Sequence, residues 1–254
     1  MPNTIEEFTP RPYARLYMMI GDQLIRNQRI ALIELIKNSY DADASWVQIR
    51  FKNFQKIGDT LKFNKKSIIE IEDDGCGMTY DIIKNVWMNP ATPYKYLKRK
   101  RGLDKTHRGR IIQGEKGIGR FAIFKLGRKI DIITRAEEKG SKELVITTDL
   151  SNFDDELIDK KNNEYKKMIF LDQLKISCET REKPLTIIAK EINIKDQIIE
   201  RQPHGTLIKI SDLKNDWAMN EINGILIECL KMISPFKHSI NIPLISFIAQ
   251  SLGY

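Results

Sequence analysis

The chain has 254 residues, 41% hydrophobic and 30% charged, with a formal net charge of +8 at pH 7. That is long enough to bury a sizeable core, and the balance excludes a disordered or fibrous chain. The excess of lysine and arginine admits an acidic partner (nucleotide, nucleic acid or anionic surface) and equally a solvated lysine-rich surface.

The N-terminus, MPNTIEEFTPRPYARLYMMIGDQ, is acidic and interrupted by proline, unlike a secretory signal. No run approaches the ~20 apolar residues of a membrane span. The cysteines, Cys76, Cys178 and Cys229, are odd in number and widely spaced, which fits a reducing cytoplasm better than a disulfide framework or a zinc site. Prolines at 2, 10 and 12 make residues 1–12 an extended arm. From about Ala14 to Tyr40 the period turns helical, with a break expected near Gly21-Asp22; RIALIELIKNSY, 29–40, is its strongest part.

In WVQIRF, 46–51, alternate apolar residues predict a strand, and SIIEIE, 67–72, predicts a second. The latter runs directly into the loop Asp73-Asp74-Gly75-Cys76-Gly77. Thr79 is placed to cap a helix lasting to about Trp87. Residues 89–113 carry proline, glycine, lysine and arginine without a period and read as a long functional or mobile loop. A helix is expected over 117–126, closed by Gly127. Strands are expected at 129–134, 144–150, 185–194 and 206–211, with helices around 153–167 and over 219–233. The apolar tail, 240–254, fits either a docked C-terminus or the N-terminal part of a longer protein.

Four segments carry chemistry, and each alone has an ordinary structural explanation. Glu34, Asn38 and Asp41 lie on one helical face at i, i+4 and i+7. A carboxylate there can take a proton from water, and an amide oxygen suits Mg²⁺; an amphipathic helix with a polar stripe looks the same. In the 73–78 loop, glycines admit a planar ligand and Asp73 can accept from an exocyclic amine, yet a strand-ending turn has the same composition. The run GEKGIGRFA, 114–122, sets three glycines before a helix, an arrangement suited to phosphates. It is neither a Walker A loop nor a dinucleotide fingerprint, and a capped glycine-rich loop reads likewise. His204-Gly205-Thr206 opens a strand, as turn residues often do.

Their order, however, resembles the GHKL ATPases, the group of gyrase B subunits, heat-shock chaperones, histidine kinases and MutL. The resemblance rests on ELIKNSYDA (34–42), IEDDGCGM (71–78), GEKGIGRFA (114–122) and HGTLIKI (204–210), and spans about residues 14–212. It implies a two-layer α/β sandwich of the Bergerat type, with a mixed, mostly antiparallel sheet and helices on one face. Glu34 then matches the general base and Asn38 the Mg²⁺ ligand. Asp73 matches the adenine acceptor, in a pocket shaped by Gly75 and Gly77, with Met78 beside them and Thr206 in support. Gly114, Gly117 and Gly119 match the phosphate-cradling glycines, with Lys116, Ile118, Arg120 and Phe121 in the same ATP-contacting stretch. Asp41 matches a second acidic position of the helix motif, structural or close to adenine.

The glutamate, with the wording GxxGxGRFA, favours a hydrolysing relative, nearest to bacterial heat-shock-like or MORC-like ATPases. The expected organisation is an arm, 1–13, an ATP-binding domain, 14–215, with a lid, 89–119, and a C-terminal helical extension, 216–254. ATP and Mg²⁺ are the implied ligands, and a nucleotide-dependent homodimer that exchanges the arm is the implied assembly. Within the basic loop 95–110, Lys95 and Arg120 are candidates to reach phosphate, while the 98–101 run is equally a nucleic-acid contact or a solvated lid. The alternatives are a histidine kinase-type phosphotransfer module and a non-hydrolysing, nucleotide-gated nucleic-acid-binding module.

Overall fold

The computed structural model describes residues 7–89, 91–93, 96–97, 100–114, 119–151, 158–159, 164–165, 169–194, 197–231 and 244–251. Helix α1 (Leu16–Leu24) is followed by α2 (Gln28–Asp41), and then by strands β1 (Trp46–Ile57), β2 (Thr60–Lys62) and β3 (Ile68–Asp73). A helical turn, α3 (Tyr80–Ile82), widens into a π turn, Ile83–Trp87. After the long loop come a tight turn, Gly119–Phe121, helix α4 (Ala122–Leu126) and strands β4 (Gly127–Arg135) and β5 (Glu143–Asp149). Small strands β6 (Ile158–Asp159) and β7 (Glu164–Tyr165) precede β8 (Ser177–Arg181), β9 (Lys190–Ile194), β10 (Gln197–Arg201) and β11 (Gly205–Leu213). The described chain ends with β12 (Trp217–Ala218), α5 (Met219–Lys231) and β13 (Leu244–Ser251).

Among the described residues, nine strands form one sheet in the order β12-β2-β1-β3-β11-β4-β5-β8, with β13 beside β1. Every pairing in it is antiparallel except β1 with β13, so the sheet is mixed and mostly antiparallel, as expected. Period-two alternation puts Ile49, Ile71, Ile208, Ile132 and Ile146 in one row across β1, β3, β11, β4 and β5. Phe51, Ile69, Ile210 and Ile130 form the next row. These rows share one apolar core with Leu32, Leu35 and Ile36 of α2 and with Ile123, Phe124 and Leu126 around α4. Helices and sheet therefore form two layers, each burying its apolar side against the other.

The opposite face of the sheet is polar over β1 and β3 and carries a small apolar cluster, Leu207, Ile133 and Val145 with Ile187, over β11, β4 and β5. Arg50 pairs with Glu70 at 2.8 Å and Glu72 at 2.5 Å, and the fully buried Arg201 pairs with Glu72 at 3.1 Å. The β9–β10 ribbon sits against this layer, where the Gln48 amide donates to Asn193 O at 3.1 Å.

Several expectations shift for local reasons. The break between α1 and α2 falls at residues 25–27, where the Asn27 side chain accepts from Ile30 N and restarts the helix. Gly21 lies inside α1, because a Cβ there would sit 2.7 Å from Phe121 O. Gly127 closes α4 as expected, its N–H donating to Ile123 O, but its backbone is extended, not left-handed, and opens β4 against Ser211 O. Of the helix expected at 153–167, the described residues are two paired strands, β6 and β7, and the rest lies outside the described residues. The strand expected at 185–194 is confined to β9. The arm's end docks on its own chain: Arg11 pairs with Asp172, Leu171 N donates to Pro12 O, and Tyr13 stacks on Phe170. Residues 217–231 pack Trp217, Ile222, Ile225 and Cys229 into the same core as α2.

Candidate functional site

Asp73 ends β3 on the core-facing side, two residues beyond Ile71, so the strand's own period turns a carboxylate inward. The register then aligns it with Thr206 of β11 and Thr134 of β4. Asp73 is buried, and its Oδ2 accepts from the Ser39 hydroxyl at 2.7 Å while Oδ1 accepts from Gly75 N at 3.0 Å. Burial pushes its pKa up to about 6, against the pull of the Ser39, Gly75 and Thr206 donors. Thr134, also buried, accepts from Met78 N at 3.0 Å, donates to Gly205 O at 3.1 Å and lies 3.1 Å from the Thr206 hydroxyl. One carboxylate is thus held in an apolar wall by a small, ordered set of donors.

The glycines around it let other backbone approach. At Gly77, where φ is +64, a Cβ would overlap Arg135 O at 2.0 Å; at Gly75 it would meet Ala42 Cβ at 2.8 Å. The loop is tied from three sides. Cys76 N donates to Ala42 O at 2.8 Å, Glu137 N to Cys76 O at 2.9 Å, and His204 Nδ1 to Gly75 O at 2.8 Å. Asp74 faces elsewhere and accepts from Ser45 N and Trp46 N at the start of β1.

Helix α2 lines the other side. Its buried residues Leu32, Leu35, Ile36 and Ser39 recur at helical spacing, so Glu34, Asn38 and Asp41 fall toward the opposite, solvent-facing edge. Glu34 is partly exposed, 2.7 Å from Lys37 Nζ, and its Oε2 faces Gly119, where a Cβ would come within 3.4 Å. Asn38 is exposed one turn further on. Asp41 accepts from Gln113 N at 2.7 Å and Gly114 N at 3.0 Å, so the motif helix holds the first glycine of the 114–119 loop directly.

The structure therefore brings together Glu34, Asn38, Asp41, Asp73, Gly75, Gly77, Gly114, Gly119 and Thr206. Met78 joins through its backbone N–H, and its side chain packs on the core. Two expectations are corrected. Arg120 donates to the carbonyls of Val86 and Trp87 at the end of the π turn, with its guanidinium 5.8 Å from the Trp87 ring centroid, and is spent there. Phe121 is a core side chain against Tyr17, drawn inward by the turn that starts α4. Lys95, Lys116, Gly117 and Ile118 lie outside the described residues. Sequence reasoning missed Ser39 and Thr134, and it named His204 in a motif without foreseeing its contact with Gly75 O. A serine at a core position of α2 and a threonine ending the Ile130–Ile132 alternation were the available signals for the first two.

A family model described as "Histidine kinase-, DNA gyrase B-, and HSP90-like ATPase" matches residues 26–180. That span holds Glu34, Asp73 and the 114–119 loop and ends before Thr206. No curated protein matches the chain. With most of the chain matched, and with the layered fold and the ordered motifs converging on one face, the chain belongs to the histidine kinase-, DNA gyrase B- and HSP90-like ATPase family, as a GHKL-type ATPase domain.

Proposed function

We propose that this domain binds ATP with Mg²⁺ and hydrolyses it slowly, as the ATPase module of a larger cytoplasmic switch protein. The observation that carries the reading is the buried Asp73 carboxylate, facing a glycine-lined loop at the end of the sheet. The adenine amine donates to Asp73, supported by Thr206, and the polyphosphate runs toward the 114–119 loop beneath α2. Asn38, whose amide is exposed one turn beyond Glu34, would hold a Mg²⁺ through its amide oxygen, a hard donor of the kind that ion takes. The metal's contribution is to offset the charge of the phosphates.

Glu34 orients a water in line with the γ-phosphate and accepts its proton as the bond from phosphorus to the bridging oxygen breaks, giving ADP and phosphate. Lys37 beside it holds that carboxylate in place. The lid, 89–119, closes over the phosphates, and closure favours a dimer that exchanges the N-terminal arm. The nucleotide-binding domain takes in the segment after residue 215 as well, since Trp217, Ile222 and Ile225 share its core and β12 and β13 join its sheet. Turnover is slow if a further phosphate-contacting lysine comes from outside this chain.

Phosphate release and ATP binding, measured side by side for wild type and Glu34→Ala, test the assignment. Binding stays within about twofold, and turnover falls by roughly 100-fold or more, the usual weight of a general base. Turnover at the wild-type rate contradicts it. Label passing from γ-phosphate to a protein histidine or aspartate, rather than to water, supports the phosphotransfer alternative. The exposed Lys100, Arg101, Lys105 and Arg108 favour one second reading, a nucleotide-gated nucleic-acid contact on the same domain. DNA affinity that is insensitive both to nucleotide and to Lys100→Glu with Arg101→Glu contradicts that reading.

A further inference from the structure

Residues 104–112, in the middle of the long basic loop, form a compact turn. Thr106 N donates to Arg110 O at 2.7 Å, Gly109 N to Thr106 O at 3.0 Å, and Ile112 N to Asp104 O at 2.8 Å. The turn is fastened to the corner between α2 and β1 by two buried charges. Asp43 accepts from the Thr106 hydroxyl and, at 3.0 Å, from Arg108 N. Arg110 donates to Tyr40 O at 3.3 Å and Ala44 O at 2.8 Å, stacks 5.0 Å from the Tyr40 ring, and lies 3.9 Å from Asp43. Side-chain exposure is 4% for Arg110 and 11% for Asp43. Taking a guanidinium and a carboxylate out of water is costly unless their donors and acceptors are met by a fixed surround. The corner supplies that surround for the Asp43 carboxylate and for Nη1 of Arg110, while Nη2 is buried without a hydrogen-bond partner among the described residues, and these contacts fasten the turn to the corner.

That corner has two other attachments. Ala42 touches the Gly75–Cys76 loop on one side, and Asp41 holds Gln113 N and Gly114 N on the other. Asp43 occupies the left-handed position after the helix, φ +60, with Asp43 N bonded to Tyr40 O and Ala44 N to Ser39 O. Glycine is the usual residue at such a position. An aspartate there gives up backbone ease and gains a carboxylate aimed at the basic turn.

We infer that Asp43 and Arg110 are positioning residues: without touching nucleotide, they fix the 104–112 turn so that Gly114 is delivered to Asp41 at the polyphosphate end of the site. This rests on the proposed role of the 114–119 loop as the phosphate cradle. The phosphate-dependent part of nucleotide affinity then depends on the Asp43 contacts, and the adenosine-dependent part, held by Asp73, does not.

The test is calorimetric titration of ATP, with Mg²⁺, and of adenosine into the full chain, alongside thermal unfolding. Asp43→Gly removes the carboxylate while suiting the left-handed backbone; it also leaves the buried Arg110 without its ion partner, so the unfolding midpoint falls, and the titrations are made well below that midpoint. ATP binding weakens roughly tenfold, the equivalent of one lost charge-assisted contact, and adenosine binding stays within about twofold. Asp43→Asn, which keeps an acceptor for Thr106, restores most of the ATP affinity. Thr106→Val acts in the same direction as Asp43→Gly, and the two together lose less than the sum of the separate losses, because the Asp43–Thr106 contact is common to both. Unchanged ATP affinity in Asp43→Gly, or equal losses for ATP and adenosine, overturns the inference while leaving the ATPase reading intact. Failure of the wild-type chain to bind ATP overturns both.

Discussion

At the scale of residues, Asp73 sets the electrostatics of the site. Its pKa stands at about 6 because burial disfavours the carboxylate more than Ser39, Gly75 and Thr206 favour it. The folded protein therefore holds this proton more tightly than the unfolded chain. The resulting stabilisation is complete below the ordinary aspartate pKa of 3.8 and is lost as pH rises through about 6. An adenine amine donating to Asp73 favours the ionised form, so ligand affinity has the opposite slope and rises as pH rises through about 6. Adenosine isolates this effect, since it carries no titrating phosphate. Calorimetry at pH 6 in buffers of different ionisation heat is expected to show protons released on adenosine binding, with none released at pH 8. Equal proton exchange at both values contradicts the placement of adenine on Asp73.

At the scale of elements, loops made close by glycine are as much a part of the site as its polar groups. Gly58 and Gly77 share a left-handed backbone, φ +56 and +64, but only Gly77 faces a wall, Arg135 O, whereas Gly58 has nothing within 4 Å of a Cβ. Alanine at Gly58 is expected to cost the backbone penalty alone, roughly 1–2 kcal/mol. At Gly77 the same substitution adds an overlap of about 1–3 kcal/mol and displaces Arg135 from the site. Urea unfolding of the two variants measures the difference; equal losses contradict the close packing of the 73–77 loop on β4. The apolar alternation of β1, β3, β11 and β4 was legible because a strand has a fixed period, and β3 and β11 each adjoin an identifiable motif. What α2 presents was legible in part: its polar stripe was, but not that Ser39, among core leucines and isoleucines, serves Asp73. The 104–112 turn was illegible, since its order comes from Asp43 and Arg110 meeting across 67 positions of sequence, and a run of basic residues gives no sign of which one is buried. Long-range pairing also hid β13, which lies parallel to a strand almost 200 positions earlier.

At the scale of the whole molecule, one core joins the first helices to the segment after β11. Trp217 is buried against Phe51, ring centroids 5.3 Å apart, and the Gln28 side chain donates to Glu221 and to Asp216 O. The motif helix α2 is therefore braced from the C-terminal side. Trp217→Ala is expected to remove about 3–5 kcal/mol and to lower the single unfolding transition of the described core as a unit. A separate, earlier transition for the C-terminal residues contradicts that continuity. The far side of the sheet is closed by paired charges over β1 and β3 and by the Ile133, Val145, Ile187 and Leu207 cluster over β11, β4 and β5, and the proposed nucleotide site lies where buried polarity, glycine and exposed motif residues coincide. Among the described residues no helix is long and apolar enough to cross a membrane.

The central claim is that ATP is held by its adenine on Asp73. Titration of ATP, with Mg²⁺, into wild type and Asp73→Asn tests it most directly. Asparagine keeps the shape and changes the acceptor set. Binding is predicted for the wild type and its loss for the variant, with the unfolding midpoint of the variant equal to or above that of wild type because a buried charge is removed. Wild-type affinity in a folded Asp73→Asn chain contradicts the account.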